Sequence, residues 1–196
     1  MSTAQPRTSP YENFMGFVKQ RVERDSSSRA VLQRSLRADG DIPPDALWIL
    51  GGWLPPDFDR ALIMARAAAW CAKYHGKSKQ DEEAPGVSRQ LDSVAAQLAH
   101  QRRRVQEETA RRILELLTRE GMSATERTNH MTRALEVCPQ PSSVDWAQTI
   151  SDLARLTNGG EEALTVRRRW YRAYHRAHNL ETENQKGESP ERKKHD

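Results

Sequence analysis

The chain has 196 residues, of which 36% are apolar and 30% charged, so it can bury a core without disulfides or a structural metal. Its 31 basic residues exceed its 27 acidic residues by only four, and net charge alone therefore points to no partner. Cys71 and Cys138 stand alone in apolar surroundings, which excludes a disulfide framework and a cysteine zinc site and predicts two buried thiols.

Apolar residues recur at helical spacing along most of the chain, as in the stripe formed by Tyr11, Phe14, Met15, Val18 and Val22. No segment alternates apolar and polar residues as a strand does. Helices are predicted, in chain order, over about 11–22, 29–37, 44–50 and 58–74, from Ser88 onward, and over 102–119, 123–138, 143–158 and 161–178.

These elements predict an all-α protein without a sheet, made of two small helical lobes. Residues 10–86 form an N-terminal helical lobe and residues 87–178 a C-terminal helical bundle, because a polar stretch over 76–86 interrupts the helical pattern. Residues 179–196 are charged and lack apolar periodicity, which predicts a disordered tail.

Clustered arginines are more informative than the net charge. Residues 19–37 hold six basic and two acidic side chains, and Arg34 and Arg37 share one face of a short helix that begins near Arg29. Like charges at this spacing repel each other, so the cluster indicates either an anionic partner or a face that is simply solvated.

A second basic cluster lies between residues 102 and 119, but acidic residues dilute it. Arg111 and Glu115 are spaced to pair across one turn, whereas Arg112 and Arg119 lie two turns apart on one face. We therefore expect Arg112 and Arg119 to be the unpaired arginines of this helix.

A third cluster, between residues 164 and 178, contains no acidic residue. An arginine can donate two hydrogen bonds to a phosphate, and aromatic rings between arginines can stack on bases. Trp170 and Tyr174 continue an apolar stripe and are predicted to be buried, which leaves Tyr171 as the stacking candidate. The basic members of the cluster are Arg167, Arg168, Arg169, Arg172 and Arg176.

The sequence offers no arrangement of catalytic residues, so we predict a protein that is not an enzyme and uses no cofactor. Phosphate-binding glycine motifs are absent, and His175 and His178 form half a metal site without a cysteine or acidic partner nearby, so no metal is expected. There is no run of about 18 apolar residues, and the first ten residues lack an apolar signal core, which predicts a cytoplasmic protein.

Several short motifs follow one another in a characteristic order between Phe14 and His178. They are Asp41-Ile42-Pro43 after an arginine-bearing helix, Gly52-Trp53, Gly86-Val87-Ser88, Arg111–Leu117, Met131–Leu135, Val144–Ala147 and the closing Arg169–Tyr174. In this order they resemble the CasB small-subunit family of Cascade, the type I-E CRISPR surveillance complex.

The resemblance implies two small α-helical lobes and a structural role in antiviral defence. Two copies would contact each other head to tail, beside the backbone and large subunits and the guide RNA. They would contact single- and double-stranded DNA through its backbone and hold the displaced non-target strand, which stabilises the R-loop.

The resemblance also places basic residues at Arg34, Arg112 and Arg133, with Arg29, Arg37 and Arg119 as neighbours on the same faces. These six are expected to be unpaired, whereas the Arg167–Arg169 run is denser than the family leads us to expect. The predicted nucleic-acid-binding residues are Arg29, Arg34, Arg37, Lys77, Arg112, Arg119, Arg133, Arg167, Arg168, Arg169 and Arg172.

Two alternatives remain at this point. The chain could be a helical assembly adaptor that bridges protein subunits without touching nucleic acid. It could also be a helix-turn-helix regulator with Glu120-Gly121-Met122 as its turn, although the following helix offers only Arg127 and Arg133 to contact bases.

Overall fold

The computed structural model describes residues 9–75, 93–99 and 104–187, with side chains for all of these except 104–106 and 178–187. Within these ranges every regular element is helical and no strand occurs, which confirms the predicted all-α class. The helices are α1 (Pro10–Arg24), α2 (Ser26–Ser35), α3 (Pro44–Leu50), α4 (Phe58–Tyr74), α5 (Val94–Ala99), α6 (Arg104–Thr118), α7 (Ala124–Val137), α8 (Trp146–Asn158) and α9 (Gly160–Gly187).

Aspartate caps fix the starts of α4 and α8. Asp57 accepts a hydrogen bond from the backbone N–H of Arg60 at 2.8 Å, as the sequence predicts. Asp145 caps α8 in the same way, so this helix begins at Trp146 rather than at the predicted Ser143.

Helix α4 lies at the centre of the fold, because it packs against α1, α2, α7 and α8 and buries 13 of its 17 residues. Its many alanines allow these neighbours to approach closely. The fully buried Trp70 donates from its indole nitrogen to Thr132 Oγ1 of α7 at 3.0 Å, and its ring lies 6.3 Å from that of Trp146 on α8. Helix α4 therefore joins the N-terminal helices to the C-terminal ones.

One continuous cluster of buried side chains extends from Phe14 in α1 to Ala177 in α9. It contains both cysteines, and burial raises the pKa of the Cys71 thiol to about 11 and that of Cys138 to about 12, which confirms two buried, protonated thiols. The predicted lobe boundary at residue 86 lies outside the described residues, so the division into two lobes stays a prediction.

Helices α2 and α4 run antiparallel, and each supplies an arginine to the C-terminal end of the other. Arg29 of α2 donates from Nε to the carbonyl of Ala72 at 3.1 Å and from Nη2 to that of His75 at 2.6 Å. The buried Arg66 of α4 donates to the carbonyl of Ser35, the last residue of α2, at 3.0 Å. Both cations lie where the unpaired carbonyls and the dipole of a helix favour positive charge.

A third internal arginine, Arg127 of α7, is fully buried and has no carboxylate partner within the described chain. Burial lowers its pKa to about 10, which still leaves the group charged at neutral pH. Its guanidinium instead donates to carbonyls at the ends of α6 and α8 and in the turn after α6. These are the carbonyls of Leu117, Arg119, Met122 and Leu156.

Asp152, a buried carboxylate of α8, holds α9 in place. It accepts hydrogen bonds from the indole nitrogen of Trp170 and the side-chain amide of Gln148, both at 2.7 Å, and forms an ion pair with Arg169. A buried carboxylate is tolerated when its oxygens are paired in this way.

Helix α9 continues to Gly187 and so includes the first nine residues of the tail that the sequence predicts from residue 179. Residues 179–187 contain no proline and several good helix formers, which extend a helix that tertiary packing has already started. Residues 188–196 lie outside the described ranges. Among the described helices, none is long and apolar enough to cross a membrane.

We expect Arg127→Met to lower the free energy of unfolding by about 3 kcal/mol, because the substitution leaves buried carbonyls without donors. Urea unfolding followed by circular dichroism measures the change. Arg112→Met, at an exposed position on the neighbouring helix, is the control and should change this free energy by less than about 0.5 kcal/mol. Equal losses in both variants would contradict the role assigned to Arg127.

Candidate nucleic-acid interface

The eleven residues predicted to bind nucleic acid fall into three groups in the structure. Lys77 lies outside the described residues. Arg29, Arg167 and Arg169 are bound to other parts of the protein. The other seven are exposed, and within the described chain their side chains have no hydrogen bond or ion pair: Arg34, Arg37, Arg112, Arg119, Arg133, Arg168 and Arg172.

Arg29 was expected to be unpaired, and this expectation is wrong. Its side chain is partly buried, and two of its nitrogen atoms already donate to the C-terminal carbonyls of α4. The sequence could not indicate this, because the carbonyls belong to residues more than 40 positions away. Direct binding of nucleic acid by Arg29 stays a prediction.

The dense Arg167–Arg169 run serves mainly to attach α9 to its neighbours. Arg167 forms an ion pair with Glu120, and only 14% of the Arg167 side chain is exposed. Arg169 forms an ion pair with the buried Asp152. Only Arg168 of the run is exposed without a partner in the described chain, and Arg172 lies one turn further along the same face of α9.

Two of the seven exposed arginines lie at the C-terminal end of α2. Arg34 lies in the last turn of the helix, and Arg37 follows the helix directly, with its backbone N–H donating to the Arg34 carbonyl at 3.0 Å. The buried Arg66 donates a hydrogen bond to the carbonyl of Ser35 in the same turn. The two side chains are therefore presented from a fixed helix end.

Three more of these arginines belong to the packed pair α6 and α7. Arg112 lies in α6 and Arg119 directly follows its last residue. Arg119 contributes, after hydrogen bonds from Ser123, to the lowered pKa of Glu126 in α7. Further along α7, the charge of Arg133 acts on His130, which also interacts with Glu126. Arg119, Glu126, His130 and Arg133 thus form one electrostatic neighbourhood.

The loop after α2 lies against the start of α7. Gly40, in this loop, has a φ of +69°, and a Cβ atom added there would lie 2.9 Å from Cγ2 of Thr125 in the first turn of α7. A residue with a side chain would therefore be both strained and crowded at this position.

The aromatic residues differ partly from expectation. Trp170 and Tyr174 are buried, which confirms the prediction. Tyr171, the predicted stacking residue, is partly buried, and its hydroxyl lies 3.2 Å from Thr118 Oγ1. Trp48 is instead 90% exposed, and its isolated position in a short helix gave no signal by which the sequence could identify it as a surface residue.

The helix-turn-helix alternative loses one of its two contact residues. Arg127, which would have to reach into a groove of DNA, is fully buried and bound to four carbonyls, so only Arg133 of that pair reaches the surface.

Within the residues that the structure describes, no group of three or more His, Cys, Asp or Glu side chains could hold a metal ion.

The seven exposed arginines can bind phosphates but are poorly suited to reading bases. Each guanidinium offers a planar set of N–H donors that matches a phosphate oxygen pair, and it stays charged at every physiological pH. Sequence-specific contacts need base-reading side chains on an element that enters a groove. The arrangement therefore favours contacts to a nucleic-acid backbone.

We expect Arg133→Ala to raise the pKa of His130, which burial and, next, the charge of Arg133 hold below its usual 6.5. NMR titration of the imidazole measures the shift, and Arg112→Ala is the control that should leave this pKa unchanged. An unchanged pKa of His130 in Arg133→Ala would contradict this electrostatic neighbourhood.

The stability of the protein should also depend on the ionisation of His130. Because the folded-state pKa of His130 lies below its unfolded value, its contribution to stability is present above pH 6.5 and is lost as the pH falls toward the folded-state pKa.

Comparison with known proteins gives one match, to the family model described as CRISPR-associated protein Cse2, over residues 28–175. Neither the curated proteins nor the solved structures contain a match to this sequence. The matched span covers three quarters of the chain and confirms the resemblance stated from the motifs. The chain belongs to the CRISPR-associated Cse2 family, the small subunit of type I-E Cascade.

Proposed function

We propose that this Cascade subunit holds the displaced non-target DNA strand through its sugar-phosphate backbone and thereby stabilises the R-loop, without catalysing a reaction. The observation that carries the proposal is the set of seven exposed arginines on or directly beside α2, α6, α7 and α9, none of which has a partner within the described chain. Two pairs of them, Arg34 with Arg37 and Arg168 with Arg172, lie one helical turn apart, and their mutual repulsion has a cost that phosphate groups would offset.

Stabilisation of an R-loop suits a surface of exposed arginines. Formation of an R-loop exchanges one duplex for another of similar stability, so modest contacts to a backbone can shift the balance. The backbone of a packed helix is already ordered, so binding a phosphate restricts only the arginine side chains themselves. A distributed surface also fits a strand whose sequence changes with every target.

The first test compares two triple variants that remove equal charge. Arg34→Ala, Arg112→Ala and Arg133→Ala together should weaken single-stranded DNA binding about 10- to 100-fold and flatten the dependence of log K on log salt by about 2. The control removes three surface arginines that are already paired, Arg21, Arg111 and Arg155, whose ion-pair distances are 3.3, 3.8 and 3.7 Å. Fluorescence anisotropy over a salt series measures both, and melting temperatures should stay unchanged.

The outcomes separate the alternatives clearly. Equal losses in the two triple variants would mean that total charge matters and the named residues do not. No affinity for nucleic acid in the unmodified chain, together with normal incorporation into the complex, would favour the assembly adaptor.

A second test identifies the strand. In reconstituted Cascade bound to target DNA, the first triple variant should make thymines of the non-target strand more reactive to permanganate, because that strand would be held less tightly. The target strand, paired with guide RNA, should keep its reactivity. Increased reactivity of the target strand alone would contradict the proposal.

A further inference from the structure

The segment from residue 38 to residue 59, here named the α3 surface, has a charge opposite to that of the arginine-bearing helices. It contains five aspartates and no lysine or arginine. All five carboxylates are exposed, and none forms an ion pair within the part of the chain that the structure describes. They belong to Asp39, Asp41, Asp45, Asp57 and Asp59.

The same segment exposes an unusual amount of apolar side chain. Ala46 and Leu50 occupy the two buried positions of α3, so the remaining faces of this short helix turn outward. Trp48 is 90% exposed on that outward side, with Asp45 one turn before it. The other large exposed apolar residues of the segment are Leu47, Trp53 and Phe58.

Trp53 attaches this segment to α1 by packing against two phenylalanine rings. The ring of Trp53 stacks on that of Phe17 in α1, with centroids 5.3 Å apart, and lies 6.3 Å from that of Phe14. Beside Trp53 opens a cleft of about 530 Å³, whose lining includes Tyr11, Met64 and Arg60, the residue that directly follows the segment. An indole that is 90% exposed, on a segment whose other tryptophan packs on α1, has the exposure and support of a binding hot spot.

The charge of the α3 surface decides which partner fits it. Asp45, one turn before Trp48, and the other aspartates of the segment repel a phosphate backbone, so stacking of nucleic-acid bases on Trp48 is disfavoured. A protein surface with an apolar pocket rimmed by lysine or arginine would match both the ring and the carboxylates.

We infer that the α3 surface docks this subunit onto another protein subunit of its complex, with Trp48 inserted in an apolar pocket and the aspartates facing basic side chains at the pocket's rim. The outward side of α3 carries none of the seven exposed arginines, although Arg37 directly precedes the segment. One chain can therefore contact protein through α3 while its arginines contact DNA.

The test uses the full-length chain and a Cascade subcomplex purified with its guide RNA but without this subunit. Trp48→Ala should weaken binding of the chain to the subcomplex at least about tenfold. Leu164→Ala, at an exposed leucine of α9, is the matched control and should change this affinity less than about twofold. Because Trp48 is almost fully exposed, its replacement should leave the melting temperature unchanged.

A double variant that removes two carboxylates tests the basic rim proposed for the partner's pocket. Asp45→Asn with Asp59→Asn should weaken binding to the subcomplex and reduce its sensitivity to salt, since two carboxylates no longer attract the basic rim. Asp57 is left in place because it caps α4.

Four results would overturn the inference. These are unchanged subcomplex binding by Trp48→Ala, an equal loss in Leu164→Ala, loss of single-stranded DNA affinity in Trp48→Ala, and self-association of the isolated chain that Trp48→Ala abolishes. The third would assign Trp48 to base stacking, and the fourth would make a second copy of the chain the occupant. Reduced subcomplex binding with unchanged affinity for single-stranded DNA supports the inference, whether or not the arginine variants behave as proposed.

Discussion

The pairing of internal guanidinium groups with helix C-terminal carbonyls is the interaction on which this fold depends. The partly buried Arg29 and the buried Arg66 connect α2 and α4 in both directions, and the buried Arg127 joins the ends of α6 and α8. A buried cation without a carboxylate is normally unfavourable. Here carbonyl dipoles at the negative ends of helices compensate these charges, so none of the three arginines needs an ion pair with a carboxylate.

Internal and exposed arginines have different roles in the structure. The internal arginines hold the ends of helices, and some exposed arginines lie at those same ends, as Arg34 and Arg37 do beside Arg66. These surface side chains are attached to backbone that internal side chains hold in place. If they bind a DNA strand as proposed, less order has to be created on binding.

Much of the fold could be predicted from the sequence, since helical periodicity and N-caps are local signals. The stripe in α1, the Asp57 cap and the buried Trp170 and Tyr174 are of this kind. The role of each arginine could not be predicted in the same way. Arg29 lies in the same helix as Arg34, and Arg167 and Arg169 in the same helix as Arg168, but only distant carbonyls and carboxylates distinguish the bound arginines from the exposed ones.

The exposed face of α3 escaped prediction for a related reason. A helix of seven residues packs on the core through only two buried positions. The periodicity of so short a segment cannot show which apolar residues occupy them. Ala46 and Leu50 do so, and the largest side chain of the helix, Trp48, is left outside.

The reciprocal arginines of α2 and α4 also couple the motions of these helices. If α2 detaches, α4 loses the donors at its C-terminal carbonyls, and the charge of Arg66 loses its acceptors at the end of α2. Neither helix can therefore open alone at low cost, and their amide protons should exchange with solvent as one cooperative unit. Since α4 packs against α1, α7 and α8, that unit extends into the rest of the molecule, and the centre of the fold suppresses local fraying at the C-terminal end of α2.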